Sequence, residues 1–341
     1  MVVGRFNSSH TMSNLNIIQT YEEATESTIS KPRNRLIGLL NMLKVIHKYR
    51  PKALIIEHTE IEAILFAFLL RIYTKLSRQS YIKLILKLDA DPDSLRITKD
   101  HFIPVFYRYM FTRLFDKIAC ESECTYVELI EPKIINRYKD KYVIVPNGVL
   151  SNIDGGEVNA YEMRRNVILS VGRIHPQKGH DILIKVFSKL KDKFQEWKLR
   201  IIGSSSDESY MNSLKKQISD LNLGNSVELK TDVSYEELIK EYRQASIFCL
   251  LSRWGSFEIA RTEAVHYGLS MVITEAGCGI HYQKFGSFVC DVNDERCIVK
   301  SLSTLMSNAD LRVEILEKQK SAVVTWHDVA LEFTKLIENR E

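Results

Sequence analysis

N-V-I-L-S-V-G-R-I-H-P-Q-K-G, running from Asn166 to Gly179, is the stretch on which the fold of this 341-residue chain turns. Val167 to Val171 is an apolar run that ends at Gly172 and Arg173, and Lys178-Gly179 then opens an amphipathic run. The pattern predicts a buried strand, a tight loop with two cations, and a helix. Where a strand's carboxyl end meets a helix amino end, α/β folds bind phosphate. Gly172 and Gly179 allow close backbone approach. Arg173 offers a fork to two phosphate oxygens, and Lys178 adds a point charge. The alternative reading is a strand–turn–helix with solvated cations, because the loop is shorter than a P-loop and lacks its spacing.

A second segment lies about eighty residues on. Ser246 to Leu251 is another apolar strand, followed by S-R-W-G-S-F-E-I-A-R-T-E-A-V-H-Y-G-L and the strand Met271 to Thr274. Gly-Arg-x4-Lys-Gly on one strand end, with Ser…Ser-Phe-x5-Glu-Ala on a later one, resembles the donor half of the retaining nucleotide-sugar glycosyltransferases of family 4. V-P-N-G-V at 145–149 and V-S-Y-E-E-L-I-K-E-Y-R-Q-A-S at 233–246 are similar to further signatures of that family. The resemblance is specific over about 140–290 and diffuse before it. It implies the GT-B fold: α/β, with two Rossmann-like domains whose parallel sheets face a central cleft.

Composition agrees with a soluble cytoplasmic enzyme. At this length two domains are expected, since single cores stop growing near 250–300 residues. Hydrophobic content of 45% and charged content of 26% are globular values. The longest apolar run, Ala63 to Leu70, is bounded by Glu62 and Arg71 and is too short to span a bilayer. No secretory signal is read at Met1. Six cysteines are present. Cys120-x3-Cys124 has no second pair at zinc spacing, so structural, reduced thiols are expected.

Charge is uneven. Residues 1–150 hold 22 Lys and Arg against 16 Asp and Glu, whereas 151–341 hold 25 against 27. Much of the excess lies between Arg71 and Arg113, where Phe106, Tyr109 and Phe111 interleave with Arg108 and Arg113. Such a stretch suits an anionic membrane face or a lipid-linked acceptor. It also suits a core helix with snorkelling cations. No nucleic-acid motif accompanies the charge.

Strands and helices alternate at the spacing of parallel sheets covered on both faces. The domains are read as 1–150, acceptor-side, and 151–322, donor-binding, with 323–341 crossing back to the first. Ser151 to Glu162, polar with Gly155-Gly156, reads as the hinge. Trp326, Val329, Phe333 and Leu336 recur at helical spacing in the crossing segment.

Three departures from the family pattern stand out. Members usually open with a strand, a Gly-rich loop and a helix. Here Gly4 is the only early glycine, with no useful strand before it, so the first strand and loop are expected to be missing, through a late start or a reduced domain. The family commonly has two glutamates separated by seven residues. Gly255 occupies the first position, and Glu258 stands where glycine is usual. Finally, Asp89-Ala90-Asp91 follows a strand. An Asp-x-Asp can hold magnesium or manganese, but the cationic loop points to a metal-free site.

The resemblance implies transfer of a sugar from a nucleotide-sugar donor to a glycan, lipid-linked or small acceptor, with retention. Gly172, Arg173 and Lys178 are the candidate diphosphate residues, and Glu263 the ribose residue by resemblance. Ser256, Phe257 and Glu258 would hold the sugar, and His58, Asp89 and Asp91 are the acceptor-side catalytic candidates. No cofactor is expected, because the nucleotide sugar is a substrate. Membrane contact is expected to be peripheral and cytoplasmic-face. Two alternatives remain: a non-catalytic nucleotide-sugar-binding subunit, favoured by Gly255 and the shortened start, and a sugar-nucleotide epimerase of the same fold.

Overall fold

The computed structural model describes residues 2–4, 17–19, 32–57, 61–77, 80–88, 90, 102–149, 164–205, 207–255, 257–319 and 323–338. The proposed hinge, Ser151 to Glu162, lies outside them.

The first sheet has four parallel strands in the order β3 (Ala53–Glu57), β4 (Lys83–Leu88), β5 (Lys117–Cys120) and β6 (Tyr142–Ile144). Consecutive order with parallel sense requires a crossover after each strand. Between β3 and β4 this is α2 (Ile61–Leu76), and between β4 and β5 it is α3 (Phe102–Leu114). α1 (Pro32–Tyr49) precedes β3, and α4 (Glu123–Ile130) with α5 (Lys133–Asn136) precedes β6. Leu84, Leu86 and Ile118 meet Phe66, Leu70, Phe111 and Phe115 in one core. Val2–Gly4, read as too short for a strand, forms β1 and pairs parallel with β2 (Ile17–Gln19) in a separate two-stranded ladder. Its partner is fifteen positions away in register, beyond what the run itself reveals.

The second sheet has six parallel strands in the order β12-β11-β10-β7-β8-β9. In chain order these are β7 (Val167–Val171), β8 (Lys198–Ile202), β9 (Val227–Lys230), β10 (Ile247–Leu250), β11 (Ser270–Thr274) and β12 (Phe288–Cys290). Every residue of β7, β10 and β11 is buried, as continuous apolar strands covered on both faces must be. α6 (His180–Leu190), α7 (Glu208–Asp220) and α10 (Glu295–Ser307) contribute to the core around Phe187, Trp197, Leu199 and Leu302. α8 (Tyr235–Gln244) and α9 (Ile259–His266) contribute to the core around Tyr242, Phe248, Leu269 and Met271. α11 (Ala309–Gln319) completes the domain. Strand order reverses between β7 and β10, so the carboxyl ends of these two neighbours form the switch-point crevice.

Val149 and Thr325 bridge in parallel, and α12 (Trp326–Glu338) packs Val329 against Ala119 and Val145 of the first sheet region. Trp326 is left 41% exposed.

The cysteines correct an expectation. Cys124 is bonded to Cys278, and Cys290 to Cys297, leaving Cys120 and Cys249 as buried free thiols. Spacing along the chain gave no sign of the first pair, because folding brings together residues 154 apart.

Candidate functional site

Two loops meet at the switch point. The first runs from Gly172 to Gly179, off β7 and into α6. Gly179 lies at φ 66°, and a Cβ there would stand 2.0 Å from the Leu251 carbonyl at the end of β10. Only glycine permits that approach. The same holds at Gly203, where a Cβ would stand 1.9 Å from the Gly172 carbonyl. Tight backbone contact thus sets the loop on its neighbours.

The second loop runs from Leu251 to Glu258, off β10 and into α9. Lys178 extends its stem over Gly172 and places Nζ 2.6 Å from Glu258 Oε1. Ser252 Oγ donates to the same oxygen. Arg261, fully buried on α9, brings Nη2 to 2.7 Å of Glu258 Oε2, a charge contact rather than an aligned hydrogen bond. Gly255 borders this arrangement: a Cβ there would stand 3.4 Å from Glu258 Oε1 and 4.0 Å from Lys178 Nζ, ordinary contact distances.

Further bonds lace the loops together. Gln177 Nε2 donates to the Trp254 carbonyl at 3.0 Å, and the Arg253 N–H donates to the Gln177 carbonyl at 2.8 Å. Arg253 forks onto Asp181 at 3.0 and 2.7 Å. Burial raises the Asp181 carboxyl, but hydrogen bonds from Arg253 and Tyr210 hold it below its ordinary value. Arg173 is exposed and donates to Gln177 Oε1 at 3.1 Å. One cation of the pair therefore faces solvent, while the other is engaged by a carboxylate.

His180, the first residue of α6, is wholly buried. Its Nε2 lies 3.2 Å from the Arg173 carbonyl and its Nδ1 3.5 Å from Ser170 Oγ. Burial lowers its pKa to about 4, against the opposing bond to the Arg173 carbonyl. The neutral ring donates to the loop backbone through Nε2.

Glu263 sits one turn into α9. Tyr242, stacked on Tyr267, donates to Glu263 Oε2 at 2.8 Å. Burial raises the Glu263 carboxyl, and the Tyr242 bond opposes that shift.

A cavity of about 400 Å3 opens beside the loops, at the ends of β10, β11 and β12. Ser252, Arg253, Thr274, Cys124, Cys278 and Asp291 are among its walls, and Lys178 is not. A smaller, mostly apolar cavity of about 150 Å3 lies between the domains, with Glu121, Asn147, Phe257 and Tyr282 on its walls. Across this seam the Phe257 N–H donates to Glu121 Oε1 at 2.9 Å.

Of the sequence candidates, Gly172, Arg173, Lys178, Phe257, Glu258 and Glu263 fall on the two loops and α9. His58, Asp89, Asp91 and Ser256 lie outside the described residues. Among the described residues no three His, Cys, Asp or Glu side chains gather as metal ligands. Sequence reading missed Arg253, Asp181, Ser252 and Arg261. Arg253 and Asp181 are 72 residues apart and carry no joint local signal. Glu258 and Arg261, one helical turn apart, carry a local i,i+3 charge signal that could have found Arg261.

The profile described as Glycosyl transferases group 1 matches residues 157–322. Residues 157–322 are thus similar to the group 1 glycosyltransferases. Among curated proteins, an uncharacterized glycosyltransferase of Haemophilus influenzae is 26% identical over 233 residues, covering 67% of this chain and 62% of its own. Mannosylfructose-phosphate synthase of Agrobacterium fabrum is 29% identical over 185 residues, covering 51% of this chain and 40% of its own. The chain thus spans less than two thirds of the length of these relatives. Among solved structures, a glycosyltransferase from Rickettsia africae superposes with a TM-score of 0.69 at 17% identity, covering 95% of this chain and 86% of its own. Anabaena HepE in complex with UDP superposes at 0.67 and 14% identity, covering 94% and 85%. At these identities the likeness speaks to fold, and the fold is GT-B. No described helix of this chain is long and apolar enough to cross a membrane.

Proposed function

We propose that this chain is a glycosyltransferase that takes a sugar from a nucleotide-sugar donor and passes it to a glycan, lipid-linked or small acceptor with retention of configuration. The observation that carries the reading is the meeting of Arg173 and Lys178 with the 251–258 loop at the switch point, 2.6 Å separating Lys178 from Glu258. The donor diphosphate lies against Gly172, Arg173 and Lys178, where α6 begins with no side-chain cap. Glu263 accepts from the ribose hydroxyls, with Tyr242 holding its other oxygen. The backbone of 256–258 holds the sugar. As the glycosidic bond breaks, negative charge grows on the leaving phosphate. Fixed cations stabilise that charge more in the transition state than in the ground state, which lowers the barrier. His58, Asp89 and Asp91 remain the acceptor-side candidates, and no metal is required.

Replacing Arg173 or Lys178 with Ala weakens nucleoside-diphosphate binding by about 1.5–3 kcal/mol, the range for hydrogen bonds to charged groups. Titration calorimetry measures it, and unchanged affinity in both variants would remove the assignment. A non-catalytic binding subunit is the second reading, favoured by Gly255. It predicts the same binding with no transfer to any acceptor and no hydrolysis of the donor.

A further inference from the structure

The two cystines tie together very different parts of the molecule. Cys290–Cys297 joins the end of β12 to the first turn of α10, seven residues on, within one domain. It constrains only that corner. Cys124–Cys278 joins the first turn of α4, in the amino-terminal domain, to the loop after β11, across 154 residues, with Cα atoms 5.8 Å apart. It is a covalent link across the domain seam. Three residues before Cys124, Glu121 accepts the Phe257 N–H across the same seam. One corner of the first domain, between β5 and α4, therefore holds two loops of the second, those around 257 and 278.

The loop around 278 depends on such holding. Gly277 and Cys278 lie at φ 59° and 60°, the left-handed region, which a residue with a Cβ adopts only where its surroundings impose it. The same loop leads from Thr274, whose hydroxyl donates to the Ser252 carbonyl at 2.6 Å. The bridge is also reachable. Both of its cysteines line the cavity of about 400 Å3, where Cys124 is half-buried, whereas Cys290 and Cys297 line neither cavity.

We propose that Cys124–Cys278 is a redox site, a latch between the domains that a dithiol opens through this cavity. One thiolate of the dithiol attacks the Cys124 sulfur, the S–S bond breaks, and Cys278 leaves as a thiolate. The second thiolate then displaces Cys124 and closes the dithiol into its own disulfide. The cystine gains two electrons and, at neutral pH, two protons from solvent. With the bond gone, the 275–280 loop relaxes, and the seam is left to noncovalent contacts such as the Glu121–Phe257 bond, the Val149–Thr325 bridge and the Val329 contacts, which open more often than a covalent link. Reduction thus shifts the seam toward opening, and the bond holds it closed.

The test uses the full chain and reads neither donor binding nor transfer, so it is independent of the proposed activity. Alkylation of the unreduced, unfolded protein with iodoacetamide should label Cys120 and Cys249 only. Brief native treatment with dithiothreitol should add label at Cys124 and Cys278 before Cys290 and Cys297. Hydrogen exchange of peptides covering 121–124, 257–261 and 275–282 should rise at least tenfold on reduction. The Cys124→Ser variant should show the raised exchange without reductant. A Cys290→Ser, Cys297→Ser double variant should keep the response, which controls for the second bridge. Label on Cys124 and Cys278 in the unreduced chain would overturn the proposal. So would unchanged exchange at these peptides after reduction of a chain that circular dichroism shows to be folded.

Discussion

Lys178 Nζ stands 2.6 Å from Glu258 Oε1, and Arg261 reaches the other oxygen of the same carboxylate. A cation expected to meet phosphate is thus neutralised by a residue where the family usually has glycine. An incoming diphosphate must share Lys178 with Glu258 or displace it.

That relationship predicts opposite effects on binding and stability. Glu258→Gln frees Lys178 from its counter-charge and tightens nucleoside-diphosphate binding. It also leaves Arg261 buried without its carboxylate, and breaking a buried pair costs about 3–5 kcal/mol of stability. Calorimetric titration and urea unfolding of the one variant read both signs. Weaker binding together with unchanged stability would show that Glu258 serves neither purpose.

His180 predicts an acid weakness of the fold. Its pKa is about 4 in the folded chain, against about 6.5 when unfolded. Between these values the unfolded chain takes up a proton that the folded chain does not. The contribution is complete above about pH 6.5 and is lost as pH falls toward about 4, on the order of 3 kcal/mol in all. Urea midpoints across this range should slope more steeply for the native chain than for His180→Gln. Parallel slopes would mean that the ring is protonated where it lies.

Donor binding is expected to survive chelation. Arg173 and Lys178 supply the positive charge at the proposed diphosphate site, and the described residues gather no metal-ligand cluster. Calorimetry with a nucleoside diphosphate, with and without EDTA, should give the same affinity. Loss on chelation with recovery on adding manganese would instead point to Asp89 and Asp91.

The acceptor side invites a membrane experiment. Arg71 is taken up by the Leu114 and Ile82 carbonyls and by Asp116, and Arg108 and Phe111 are buried. Phe106 is 51% exposed and Arg113 is exposed, so the described part of the 71–113 stretch divides its cations and aromatics between core and surface. On α2, Leu65, Phe68, Ile72 and Leu76 are 45%, 47%, 41% and 78% exposed along one helical stripe, with Lys75 exposed beside them. An apolar stripe with a cation suits the boundary of an anionic bilayer. Sedimentation with anionic vesicles at low salt should carry the chain down, and Phe68→Glu should reduce it. Equal recovery in the supernatant with and without vesicles would favour a soluble acceptor.

Much of the fold was legible along the chain. Continuous apolar runs such as Val167 to Val171 read as buried parallel strands because both faces are covered, which leaves no polar alternation to blur them. The Gly172–Gly179 loop was legible because its cations and glycines are local. So was the strand–helix alternation, whose boundaries in the structure differ by a few residues at element ends, where hydrogen bonding frays. The pairing of Lys178 with Glu258, the Arg253–Asp181 fork and the Cys124–Cys278 bond were decided by tertiary structure alone. Each joins residues 72 to 154 positions apart. Periodicity carries a residue's own face and neighbours, and it holds no information about which distant loop the sheet order will set beside it. The switch between β7 and β10 made the first two pairs neighbours, the docking of the two domains made the third, and the electrostatics of the site followed from the first placement.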